Sequence, residues 1–197
     1  SHFGVGAFHR SHQALTIDRL MEQGKAQDWA IIGVGLLPSD SRMRDALINQ
    51  DCLYTLITKH ASGKFDYQVI GSIIDYIFAP DESEKLLAKL VDPAIKIVSL
   101  TITEGGYSFD RVTGEFDPTT EPVATDLKGS KHPESAFGYI VEGIKRRKEA
   151  GIAAFTVQSC DNIQGNGDVA KKMITAFAKI KEPALADWIE SNVAFPN

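Results

Sequence analysis

The sequence predicts an α/β fold: a Rossmann-like, mostly parallel sheet with helices on both faces. Three observations carry this expectation. Apolar runs short enough for strands alternate along the chain with segments of helical periodicity. The runs at 29–35 and 95–103 are continuous rather than alternating, which suits strands covered on both sides. Glycines stand at a turn between strand and helix in Gly4-Val5-Gly6, and again at the end of a run in Gly33-Val34-Gly35.

The bulk properties fit that class. The chain has 197 residues, 43% hydrophobic and 24% charged, enough for one domain with a sizeable core. A net charge of −5 argues against nucleic acid as the main partner, because such binders carry a basic face. No run approaches the ~18 apolar residues of a membrane span, so no membrane is expected. No secretory pattern is visible, and Cys52 and Cys160 lie too far apart for a metal or redox motif. A reduced, cytoplasmic setting is the expectation. The ends suggest a dinucleotide-binding domain over 1–197 cut from a longer protein at both ends. Residue 2 already adjoins the glycine turn, and "SNVAFPN" closes on no finished element.

The elements follow in order. Residues 7–23 read as one helix, with Ala14, Ile17, Leu20 and Met21 at helical spacing and Gly24 as its stop. The run 29–35 is a strand, and 39–48 a helix capped by Ser or Asp. The β-rich segments 52–59 and 67–73 flank a turn-like "HASGKF" and can pair as a hairpin. Residues 81–91 form an amphipathic helix, and 95–103 a buried strand. Residues 105–132 lack periodicity and are expected to be a long irregular excursion. Phe137, Ile140, Val141 and Ile144 mark the buried face of a helix that Gly151 ends, with "KRRK" (145–148) as a solvated face. Residues 153–159 are a strand. Val169, Met173, Phe177 and Ile180 mark the next helix, and Pro183 starts a last one.

In such a sheet, ligands sit beyond the carboxyl ends of the strands, which directs attention to 4–10, 35–40, 103–107 and 159–164. Gly4 and Gly6 could let a backbone turn approach a phosphate at a helix N-terminus, or form an ordinary tight turn. The usual third glycine is replaced by His9, so helix–strand packing must differ from the common pattern. His9 and Arg10 oppose the helix dipole if charged, which a bound anion would relieve; the plain alternative is that Arg10 faces solvent and His9 stays neutral. His9 and His12 have a chelating i, i+3 spacing but no evident third ligand, and no metal is expected. Asp40 could bind an adenosine ribose, which would favour NAD over NADP by charge, or cap a helix. The candidate cofactor-binding residues are thus Phe3, Gly4, Val5, Gly6, Ala7, Phe8, His9, Arg10 and Asp40.

The segments "GVGAFHRSHQA", "IIGVGL", "IVSLTITEGGY", "AFTVQSCDN" and "FPN" occur in this order and spacing over essentially the whole chain. Together they resemble the polyol-specific long-chain dehydrogenases, the mannitol 2-dehydrogenase family. The resemblance implies an N-terminal Rossmann-type domain whose partner, a mostly helical C-terminal domain, is missing from this chain. It implies NAD as cofactor and a polyol or ketose as small-molecule substrate. "TEGGY" and "FPN" look more like mannitol-type members than fructuronate reductases, which tend toward "TEKGY" and "FPC".

Oxidation of a secondary alcohol needs hydride removal, a base for the hydroxyl proton, and donors for the developing alkoxide. With no zinc ligand set in the sequence, organic donors must serve. Asn162, just past a strand end, offers a neutral amide donor or an Asx-type turn cap; the resemblance implies the oxyanion role. Asp161 could orient a neighbour or cap a helix, and Cys160 reads as a packed residue. Glu104 could contact a ribose or substrate hydroxyl, or relay a proton, or be a solvated carboxylate. Tyr107 reads as packing. The family's catalytic lysine motif, Lys-x4-Asn-x2-His, is absent here, so the domain alone is expected to bind NAD and to turn over polyol poorly or not at all. The alternatives are a nucleotide-binding module without chemistry, a fructuronate reductase-type enzyme and a methyltransferase-like variant; Asp40 lies too far past its strand for the last.

Overall fold

The computed structural model describes residues 1–110 and 112–197; Arg111, within the expected excursion 105–132, lies outside the described residues. Five strands form a wholly parallel sheet: β1 (His2–Phe3), β2 (Ile31–Gly35), β5 (Ile73–Phe78), β6 (Ile97–Leu100) and β7 (Thr156–Ser159). Their order is β5-β2-β1-β6-β7. The chain steps outward from β1 in one direction and then restarts on its other side with β6. That reversal is the switch point of a doubly wound sheet. β1 is only two residues long yet central, pairing His2 with Gly33 and Ser99, and Phe3 with Val34 and Leu100.

The period-2 alternation of the strands divides the core into two clusters. Phe3, Ile32, Val34, Ile77, Val98, Leu100 and Val157 pack against α4 (Ala79–Val91), α6 (Ala136–Glu149) and α7 (Asn166–Lys181). Leu86, Phe137, Ile140 and Phe177 are fully buried there, each contributing about 1.5–3 kcal/mol by leaving water. Tyr76 and Phe78 join a smaller cluster with Val5, Ala14, Leu47 and Ile70. This cluster draws on α2 (Gln13–Glu22), α3 (Ser41–Ile48) and the hairpin of β3 (Tyr54–Lys59) with β4 (Phe65–Ile70). α8 (Pro183–Asn192) closes the fold against α7, with Leu185 and Ile189 buried.

Several expectations are corrected. The single helix over 7–23 is two, α1 (Ala7–Ser11) and α2, broken at His12, whose φ/ψ of −123°/−70° is not helical. β5 replaces what reads as the tail of a strand over 67–73: Gly71 and Ser72 end the hairpin, and "IIDYIF" then enters the parallel sheet. Within 105–132 lie a 3₁₀ turn at Glu104–Tyr107, a bridge between Phe109 and Phe116, and α5 (Val123–Leu127). The Asp126 carboxylate organises that region, accepting from the amides of Glu134 (2.8 Å) and Ser135 (2.9 Å). Ile180 is exposed rather than part of the buried face of α7.

The "KRRK" helix turn is not wholly solvated. Arg147 is buried and donates to the carbonyls of Leu90 (2.8 Å), Ala153 (2.6 Å), Asp92 (2.5 Å) and Ile95 (2.8 Å). A planar fork of donors suits a site where several carbonyls converge, here the turn between α4 and β6.

Candidate functional site

Every strand of the main sheet runs in one direction, so the loops after β1, β2, β6 and β7 share one rim. A cleft of about 700 Å³ opens there. Gly4, Val5 and Gly6 line it after β1, Leu36, Asp40 and Met43 after β2, and Thr101–Thr103 with Gly105 and Gly106 after β6, with Glu121–Val123 and Glu134–Ala136 opposite.

Gly4 has φ +90°, and a Cβ there would collide with the Thr101 carbonyl. Gly6 is different: a Cβ would meet only the Gly4 carbonyl oxygen, at 4.0 Å, so the position opens onto free space. α1 starts immediately after it with no side-chain cap and no acid in its first turn. Its leading amides and the positive end of its dipole are left for an outside acceptor. Behind the turn, Thr101 Oγ1 donates to the Gly4 carbonyl (2.6 Å), and Arg10 Nη1 donates to the Val5 carbonyl (2.8 Å) and approaches Met43 Sδ (3.4 Å). Arg10 thus braces the loop and does not line the cleft.

The His9 ring also turns away from the cleft. It stacks on His2 with ring centroids 3.5 Å apart, and its Nδ1 pairs with Gln13 Oε1 (2.7 Å). His2 Nδ1 pairs with Ser99 Oγ (2.8 Å), and its Nε2 with Thr101 Oγ1 (2.9 Å). The stacked imidazoles are how α1 meets β1 without the third glycine. Burial pushes both below the usual imidazole range; the neighbouring His9 adds to the lowering at His2. Of the other residues expected around the cofactor, Phe3 is buried in the core, while Ala7 and Phe8 are exposed outside the cleft lining.

Asp40 lines the cleft and also closes its own loop. Its Oδ2 accepts from the amides of Leu36 and Leu37, both at 2.9 Å. Asp40 thus braces the loop ahead of it and, contrary to expectation, gives no side-chain cap to α3, while keeping its place on the rim. Glu104 and Asn162 lie on exposed loops of the same rim, outside the lining, although Thr103, Gly105 and Gly106 beside Glu104 belong to it. The structure brings the glycine turn and Asp40 into one cleft and sets Glu104 and Asn162 on the same rim beside its lining.

Sequence reasoning missed a connection between the last two loops. Asp161 accepts from the amides of Ile102 (3.1 Å) and Thr103 (2.9 Å) and from the Tyr107 hydroxyl (2.8 Å). Tyr107 is therefore a buried hydrogen-bonding group as well as packing. The adjacency of Asp161 to Asn162 was the only signal of it. Burial pushes the Cys160 thiol up, in keeping with a packed side chain. Among the described residues, no group of three or more His, Cys, Asp or Glu side chains is placed to hold a metal. Nor is any helix among them long and apolar enough to cross a membrane.

A family model described as the mannitol dehydrogenase Rossmann domain matches residues 1–197. The chain belongs to the mannitol dehydrogenase family. A polyol:NADP oxidoreductase of Gluconobacter oxydans is 49% identical, aligning over 100% of this chain and 40% of its own length. A mannitol 2-dehydrogenase of Aspergillus fumigatus is 48% identical, with 39% of its length covered. Among solved structures, the ternary complex of Pseudomonas fluorescens mannitol 2-dehydrogenase with NAD and D-mannitol superposes with a TM-score of 0.95. It is 46% identical and covers 100% of this chain and 40% of that one. A substrate-free D-sorbitol dehydrogenase gives 0.93 at 48% identity, with the same coverage. This mannitol dehydrogenase domain thus spans about two fifths of the length of the relatives it matches.

Proposed function

We propose that this domain holds NAD across the switch point between β1 and β6, within an oxidoreductase that interconverts a sugar alcohol and a 2-ketose of the D-mannitol/D-fructose type by metal-independent hydride transfer. The observation that carries the reading is the open cradle at Gly6, followed at once by the uncapped start of α1. A dinucleotide pyrophosphate needs close backbone approach and a helix start that no side chain caps, and both occur there. Asp40 would take the adenosine ribose from the rim after β2, and the Thr101–Gly106 loop would meet the nicotinamide half. When bound, NAD supplies the hydride acceptor. Asn162 then offers an amide donor to the reacting oxygen, and Glu104 a carboxylate toward a ribose or substrate hydroxyl. The base that takes the hydroxyl proton comes from a helical domain beyond this one, which also reads the polyol. The family membership supports this division of labour, and the two unpaired thiols suit the cytoplasm.

The test is a fluorescence titration of this domain with NADH, beside an assay of D-mannitol oxidation by the full-length protein. Saturable NADH binding with turnover only in the full-length protein is expected. Binding without turnover in either would point to a nucleotide-binding module, and binding of S-adenosylmethionine in place of NADH would defeat the proposal.

A further inference from the structure

Thr103 has φ +62° and ψ +169°, a region that is essentially open only to glycine. It sits in the loop after β6, and Thr103, Gly105 and Gly106 line the cleft. Such a conformation persists only where its surroundings over-determine it, and it collects at functional sites. What holds it is visible. The amides of Ile102 and Thr103 both donate to one carboxylate, that of Asp161 in the loop after β7. That carboxylate accepts a third bond from the fully buried Tyr107 hydroxyl, at the far end of the same β6 loop. The Tyr107 oxygen also pairs with Ser159 Oγ at 2.6 Å, at the end of β7. Burial is the largest cause pushing the Tyr107 hydroxyl well above its usual range, so it remains protonated. Asn166, at the start of α7, donates to the Asp161 carbonyl at 3.1 Å. Two loops and a helix start therefore meet at one residue.

We propose that Asp161, braced by Tyr107, is a positioning residue for the reaction: it locks the Thr103–Gly106 wall of the cleft in its strained form and fixes the backbone that carries Asn162. The inference rests on the functional reading above. A loop containing Gly105-Gly106 has ample freedom to relax, and three hydrogen bonds to a single carboxylate remove that freedom. Charge-assisted bonds are the strong ones, which suits a role in holding strain. The fixed element is the part of the rim where the nicotinamide half and the reacting oxygen would have to be aligned. The glycine turn at Gly4–Gly6 belongs to a different strand end; the Thr101 hydroxyl that braces it comes from one residue ahead of the clamped amides.

The test uses Asp161→Asn and Tyr107→Phe in the full-length protein. Asp161→Asn should lower kcat for polyol oxidation roughly 10- to 100-fold, the scale of a misplacement of about 1 Å. The Kd for NADH should stay within about threefold, because the pyrophosphate turn is untouched. Tyr107→Phe, which removes one oxygen, should lower kcat in the same direction by less. A second readout needs no turnover: amide hydrogen exchange at Ile102 and Thr103 should be roughly tenfold faster in Asp161→Asn. A kcat within twofold of wild type, or unchanged exchange at both amides, would overturn the proposal. So would parallel losses of kcat, NADH affinity and melting temperature, which would mark a merely structural residue. A wild-type protein that neither binds NADH nor oxidises polyol would overturn the functional reading itself, and the positioning role with it.

Discussion

The two glycines of the opening turn do different jobs, and the difference is measurable. Gly4 holds a backbone conformation that side chains avoid, and its missing Cβ is where the Thr101 carbonyl passes. Gly6 has φ −82° and room for a methyl group in the ligand-free protein. Gly4→Ala should therefore destabilise the fold by about 1–3 kcal/mol, read as a lowered melting temperature. Gly6→Ala should change stability by less than about 1 kcal/mol yet weaken NADH roughly tenfold, because its methyl fills the space a pyrophosphate would take. If Gly6→Ala bound NADH as wild type does, the pyrophosphate would lie elsewhere. The motif shows two glycines but not this division. The distinction comes from Thr101, 97 residues downstream from Gly4, whose register against β1 no local pattern contains. The partners of Asp161 were hidden for the same reason, since its bonds to Ile102 and Thr103 span 59 and 58 residues.

At the scale of elements, the legible parts were those whose periodicity is uninterrupted. α4, α6 and α7 carry full stripes of apolar residues, and β2 a continuous run. β5 was hidden because "VIGSIIDYIF" reads as one apolar stretch, with only Gly71-Ser72 to divide hairpin from sheet. The break between α1 and α2 was hidden because α1 is oriented by a tertiary contact, the stack of His9 on His2, rather than by its own pattern. That contact predicts a pH response. Both rings are held neutral by burial, with folded pKa values below the ordinary 6.5. The unfolded chain therefore binds more protons as pH falls through 6.5, so stability is complete above that value and declines below it, by up to about 1.4 kcal/mol per pH unit for each ring. Thermal melts between about pH 7.5 and pH 5.5 should show the decline. His9→Phe keeps a ring on His2 and removes one titrating group, so it should make the decline shallower. An equal decline in that variant would mean that His9 takes up no proton on unfolding in this range.

For the whole molecule, the important fact is that the strand order β5-β2-β1-β6-β7 puts every loop of interest on one rim. The alternation of strands and helices made that rim predictable, and so the neighbourhood of Gly4, Gly6 and Asp40. It could not say which side chains on the rim face the cleft, and Arg10 and His9 turn out to face elsewhere. A ligand seated across the switch point touches loops from both halves of the sheet, so it must stabilise the fold as a unit. At NADH concentrations of 100 times Kd, linkage gives about 2.7 kcal/mol. For a domain of this size, 1 kcal/mol moves the melting temperature by about 2–4 °C, so a rise of roughly 5–11 °C is expected. NADPH at the same concentration should give a smaller rise, because its 2′-phosphate would approach the Asp40 carboxylate. Asp40→Asn separates the two duties of that residue. The amide oxygen can still accept from Leu36 and Leu37 and keep the loop closed, while the charge is gone. The gap between the NADH and NADPH shifts should then narrow without loss of stability in the ligand-free protein. A gap that persists would leave Asp40 as the cap of its own loop and move cofactor discrimination to another part of the rim.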